Sequence, residues 1–303
     1  MQGNLYNTRI NNENVQMDAQ NKGWLNGLVG VMIFAGSMPA TRIAVTGFNP
    51  EFLTGARAVI AGLFALLILV VFKQRMPQLK DFIPLCITAL GVVLGFPLFT
   101  ALALQEISAA RALVFVALLP LSTAIFGVFR AAERPSLAFW FFALIGSMLV
   151  MGFMLRGDQG QIFSRADLYM IVAILLCGLG YAEGGQLSKS LGGWQVICWA
   201  LVIALPFMFV LSYYSLPQSL TNVSISAYLG LIYVAVFSML LGFFFWYKGL
   251  ALGGIAKVGQ IQLIQPFLGL MLSAIFLGES VSLAMVVVSI AVMLCVMMAK
   301  RFA

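Results

Sequence analysis

"PLSTAIFGVFRAAE" (Pro120–Glu133) and "PFLGLMLSAIFLGE" (Pro266–Glu279) share one frame: a proline, an apolar run, and a glutamate thirteen residues on. Shifting the chain by 146 residues lays one proline on the other and one glutamate on the other. It also lays Phe99 on Phe245, Leu104 on Leu250, Ala110 on Ala256 and Arg111 on Lys257. Either copy alone reads as an apolar helix in which the proline removes an intrahelical N–H. The glutamate then marks a helix boundary, where negative charge favours the start of the next helix. Two copies at one spacing read as a duplicated chain.

Composition says where such a chain resides. It is 62% hydrophobic and 9% charged, with a mean hydropathy of +1.03. A typical soluble domain is roughly 45–50% apolar and about 25% charged. Apolar runs of span length recur at about 24–45, 50–72, 82–103, 107–129, 136–155, 167–187, 194–214, 226–247, 255–277 and 281–299. The expected fold is an all-α integral membrane protein with ten transmembrane helices as two inverted five-helix repeats. Residues 24–155 form the first repeat and 167–303 the second. The connecting loop is 156–166, with Gly157, Asp158, Gly160 and Ser164 in it. Five is odd, so the second repeat enters the membrane from the opposite side. Inverted repeats of this kind build secondary transporters, with the substrate site near the midplane between the halves.

Charge sets the orientation. With the N-terminus in the cytoplasm, twelve of the 17 basic residues fall in cytoplasmic segments, and only Arg156 and Arg165 in outer loops. The positive-inside rule then places both termini in the cytoplasm. Residues 1–23, rich in Asn and Gln, are expected to be a disordered cytoplasmic tail. The net charge of +7 is scattered between spans and forms no patch, which argues against nucleic-acid binding. There is no histidine, and the four cysteines (Cys86, Cys177, Cys198, Cys295) stand singly in apolar runs. Metal sites, nucleophile–base pairs and paired carboxylates are therefore not visible, and no cofactor is expected. The reading is a transporter and not an enzyme.

The sequence also resembles a known family. "SAARALVFVALLPLSTAIFGVFRAAE" (108–133), "GLALGGIAKVGQIQLIQPFLGLMLSAIFLGE" (249–279) and "FNPEFLTGARAVIAG" (48–62) are similar to stretches of the EamA family, part of the drug/metabolite transporter (DMT) superfamily. The likeness covers residues 24–299 in two copies, although "RAAE" in the first departs from the usual small-apolar-Gly-Glu ending. It implies a bacterial inner-membrane exporter of small metabolites, often amino acids or related compounds. It further implies alternating access around a central cavity, with the fifth and tenth spans peripheral. Some members carry drugs or nucleotide sugars, so the likeness leaves the substrate open. A channel is the other alternative. The expected partners are a small-molecule substrate and the lipid bilayer. A coupling proton or ion and a homodimer stay open.

Six residues are candidates for contact with substrate. Arg57 lies about seven residues, roughly 10 Å, inside the outer end of the second span. A charge at that depth needs a partner, a wet cavity or carbonyls to cap. Glu183, within "GLGYAEGGQLSKS", suits a coupling proton or a polar cavity wall, with an interfacial pair to Lys189 as the alternative; Tyr181 accompanies it. In the ninth span Gly259, Gln262, Pro266, Gly269 and Ser273 recur at steps of three and four, one helical face of small and polar residues. Pro266 frees the carbonyl of Gln262, and with the amides of Gln262 and Gln265 this suits a polar, zwitterionic metabolite. Interhelical packing is the competing account. Pro120 and Pro266 are the expected helix breaks. Trp246 is either a substrate-stacking wall or part of an interfacial aromatic belt.

Overall fold

A computed structural model describes residues 2–156, 164–277 and 283–302, and these form helices with no strand among them. The described residues make ten helical rods. The first repeat contains α1 (Gln2–Ala35, then Ser37–Ala44 after Gly36), α2 (Pro50–Val71), α3 (Leu79–Glu106), α4 (Ala109–Val116 and Leu119–Ala131) and α5 (Leu137–Arg156). The second contains α6 (Arg165–Leu191), α7 (Gly193–Tyr214), α8 (Ile225–Gly253), α9 (Ile255–Leu277 in three pieces) and α10 (Leu283–Phe302). Each rod falls on one of the ten apolar stretches of the sequence. Seven are long and apolar enough to cross a membrane; α4, α5 and α10 carry shorter apolar segments.

α1 starts inside the segment expected to be a disordered tail and runs on without a break at residue 23. Nucleation is the costly step of helix formation, so a polar segment continuous with an apolar helix propagates cheaply from it. Most of the connecting loop, and Gly278, Glu279 and Ser280, lie outside the described residues.

Helix ends follow local chemistry. Asn49 caps α2 by accepting from the Phe52 N–H at 2.7 Å, with Pro50 at the first helical position. Ser108 caps α4 and Ser164 caps α6 in the same way. Gly254 turns α8 directly into α9 at φ +89°, a conformation that glycine adopts without steric cost.

The packing reveals the symmetry. α1 packs along α8, and α3 packs along α6; each pair becomes the other when every rod is exchanged for its counterpart five places along the chain. α2 pairs with α7, α4 with α9, and α5 with α10, each with its own counterpart. The repeats are thus intertwined about a pseudo-two-fold axis, not placed side by side. α5 and α10 lie against α4 and α9 and supply none of the described residues that line the cavity between the repeats.

Glycine permits the closest approaches. On Gly91 of α3 a Cβ would lie 2.5 Å from the Leu176 carbonyl of α6. Gly91 and Gly95 thus serve helix packing, as the small-xxx-small spacing predicts.

Backbone irregularities repeat as well. α3 contains π-helical turns at Ala89–Gly95 and α8 at Tyr233–Leu241, overlapping under the shift of 146 residues. α4 breaks between Val116 and Leu119, and α9 passes through a 3₁₀ stretch, Gln260–Ile264, at the counterpart place. Pro120 and Pro266 each sit second in the helical piece that follows.

Candidate functional site

Between the two repeats lies a small cavity of about 20 Å³, room for about one water. Six rods line it, three from each repeat. α1 gives Phe34 and Ser37, α2 gives Arg57, and α3 gives Val92, Phe96 and Pro97. From the second repeat come Tyr181 of α6, Ser238 and Phe243 of α8, and Gln265 of α9. Val92 and Ser238 are counterparts under the 146-residue shift, as are Pro97 and Phe243. Both repeats therefore present the same backbone places to the cavity but different chemistry.

The lining is part polar and part apolar. Ser37, Arg57, Ser238 and Gln265 supply polar groups from α1, α2, α8 and α9. Val92, Phe96 and Pro97 of α3 and the rings of Phe34, Tyr181 and Phe243 supply the apolar part. Ser37 Oγ donates to Ser238 Oγ at 2.7 Å, and Arg57 Nη2 reaches the same oxygen at 3.5 Å. Arg57 is only 5% exposed, its Nε makes no hydrogen bond, and none of the ion pairs among the described residues includes it. The Gln265 side-chain N–H donates to the Phe34 carbonyl at 3.4 Å, while its Oε1 has no partner.

Three of the lining residues, Phe34, Tyr181 and Phe243, belong to an aromatic cluster that continues to Trp246 behind them. Trp246 meets Tyr181 at 5.2 Å between ring centroids and Phe34 at 6.1 Å, and Phe243 meets Phe34 at 5.1 Å. Trp246 is fully buried, which overturns the belt reading. The sequence-read span ends at residue 247, but α8 continues to Gly253, so Trp246 lies well inside the rod. Gln262 is also fully buried, beside the Tyr181 hydroxyl, with neither amide atom hydrogen-bonded.

The structure therefore brings Arg57, Tyr181 and Gln265 to the cavity and sets Trp246 and Gln262 just behind it. Glu183 is elsewhere. It takes a bidentate pair from Arg130, at 2.5 Å from Nε and 3.0 Å from Nη2, not from Lys189. Tyr181 and Glu183 are two residues apart on one helix and so point to different faces. Arg111 grips Asp167 in the same bidentate manner, at 2.9 and 2.8 Å. These two ion pairs tie the start of α4 to the start of α6 and its end to the later part of α6, so the two rods run parallel. Arg42 donates to the Leu104 carbonyl near the end of α3 and stays outside the cavity.

Ser37, Ser238, Phe34, Phe243 and Gln260 were not signalled by the sequence reading. Gln260 is fully buried with both amide atoms unpaired, and its polarity in an apolar run was the one available clue.

Two segments, residues 21–155 and 164–300, match the family model described as the EamA-like transporter family. The chain belongs to that family. It is a multi-pass membrane transporter, and the two matched segments are the two EamA repeats. The EamA likeness extends to whole relatives. The "uncharacterized transporter YdeK" of Bacillus subtilis (strain 168) is 54% identical over 95% of this chain and 100% of that one. A second transporter of that organism, YdfC, is 24% identical over 82% of this chain and 80% of its own. A crystal structure superposes with a TM-score of 0.75 at 17% identity, covering 93% of this chain and 99% of that one. At that identity it shows the shared fold.

Proposed function

We propose that this EamA protein exports small polar metabolites, such as amino acids or their derivatives, across the bacterial inner membrane by alternating access, with both termini cytoplasmic. The supporting observation is the small cavity between the repeats, lined by three rods of each and carrying Ser37, Arg57, Ser238 and Gln265. A site shared by two inverted halves opens to one side or the other as the halves rock. Breaks in α4 and α9 give each half a place to bend. The cavity as it stands is too small for an amino acid, which fits an occluded form.

The test is efflux from proteoliposomes. The purified chain, reconstituted in liposomes preloaded with labelled amino acids, should release at least one of them with saturation kinetics. A flux linear in concentration would identify a channel. No release under any gradient, in either orientation, would remove the transport proposal.

Gln262→Leu should lower substrate affinity by about tenfold, as expected for the loss of roughly one hydrogen bond, while melting at or above wild type. Its amide is buried without partners, so an apolar residue of similar size removes a desolvation cost. Unchanged transport kinetics in that variant would take Gln262 out of the site.

A further inference from the structure

Arg57 is a cation facing the cavity with one weak hydrogen bond and no carboxylate partner among the described residues. Guanidinium has five N–H donors in a planar fork, which match a carboxylate bidentately. Elsewhere in this chain the fork finds that match: Arg111 on Asp167, and Arg130 on Glu183. A buried charge left without such a partner is expensive, so it persists where it serves something the resting protein lacks.

We propose that Arg57 is the receptor for a carboxylate on the transported molecule, and that the cargo is a monocarboxylate with an apolar body. This rests on the transport reading above and adds to it the charge and shape of the substrate. Three observations set the class. Among the described residues Arg57 is the only Lys or Arg lining the cavity, so a monoanion is neutralised, whereas a phosphate dianion keeps a charge in a low-dielectric site. The rest of the lining, Val92, Phe96 and Pro97 with the rings of Phe34, Tyr181 and Phe243, is apolar and aromatic and suits a hydrocarbon body. Gln265, whose Oε1 is unpaired, lines the same cavity as Arg57 and accepts from an ammonium next to the carboxylate. An α-amino acid with an apolar side chain meets all three.

The full-length protein can be tested with L-leucine, L-phenylalanine and L-methionine, their carboxamides, their decarboxylated amines, and phenyl phosphate. Binding is read as a saturable rise in melting temperature, and transport as flux in proteoliposomes. At least one free acid should bind, with its amide and amine weaker by roughly 30-fold or more, the loss typical of a buried charge partner. Arg57→Gln should abolish the ligand-induced rise while melting without ligand at or above wild type, because the uncompensated charge is gone. Arg57→Lys should retain part of the binding. Amides or amines that bind as tightly as the acids, persistence of binding in Arg57→Gln, tighter binding of phenyl phosphate, or binding by none of these probes would overturn the proposal. Binding that discriminates the acids but gives no flux would leave the carboxylate site standing and remove the transport reading. Flux of amines or amides would do the reverse.

Discussion

Asp167→Ala should destabilise the protein by about 3–5 kcal/mol, the usual cost of removing one partner of a buried ion pair. Asp167 is 1% exposed, and the side chain of Arg111 is 12% exposed. The carboxylate also accepts from the Ser164 N–H at 2.7 Å, closing a capping box at the start of α6. One substitution therefore takes the bidentate partner from Arg111 and loosens a helix end that joins the two repeats. The double variant Arg111→Met/Asp167→Leu should recover most of the loss, since an apolar pair of similar volume replaces the buried charges. Glu183→Gln should cost about 1 kcal/mol or less, because its partner Arg130 is 42% exposed and screened by solvent. Melting of the purified variants in detergent measures all three. If Asp167→Ala and Glu183→Gln lose the same stability, the first pair does not act as a buried one.

Gly249→Leu should separate α1 from α8 and destabilise the fold by at least about 3 kcal/mol, the upper end of ordinary overpacking costs. At this crossing glycine meets glycine. A Cβ on Gly249 would lie 2.7 Å from the Gly27 N and 2.9 Å from the Gly23 O. On Gly23 it would lie 2.6 Å from the Gly253 N. These neighbours are backbone, so no side chain can rotate aside and the rods themselves must part. α1 and α8 belong to opposite repeats, so the damage falls on the seam between them. Gly152→Leu is the control: nothing lies within 4 Å of its added Cβ. Equal stability losses at the two glycines would show that the crossing is not tightly packed.

Most of the architecture was legible because it is carried by composition and by one repeated frame. Apolar stretches locate the ten rods, and the shift that aligns Pro120 with Pro266 also aligns the breaks in α4 and α9. Pro120 and Pro266 mark those two breaks in the sequence itself, because each lacks the N–H that a continuous helix uses, whereas Pro84 and Pro206 lie inside unbroken helices. π-helical turns have no such residue, so those in α3 and α8 were invisible, and with them the presentation of Ser238 to the cavity. Arg57 stood out by its depth and Gln265 by its polarity. The partner of Glu183 did not: Lys189 is near in sequence, whereas Arg130 arrives only when α4 lies parallel to α6. Glu133 was read as a boundary residue before α5. In the structure its carboxylate accepts from the Ile255 and Ala256 N–H groups, both at 2.7 Å. It therefore caps α9, a contact across the axis that local spacing cannot show.

The paired π-helical turns also separate what a substitution can change in each repeat from what it cannot. A π turn arises by adding a residue to a helix, and undoing it takes a deletion that rotates everything downstream by about 100°. Point substitutions do not readily create or erase it. The two halves of this chain have since diverged at nearly every side chain, Val92 facing the cavity in one and Ser238 in the other, yet each retains the irregular turn at the same place. The bend is thus common to both repeats, and the chemistry they present to the cavity differs by side chain alone.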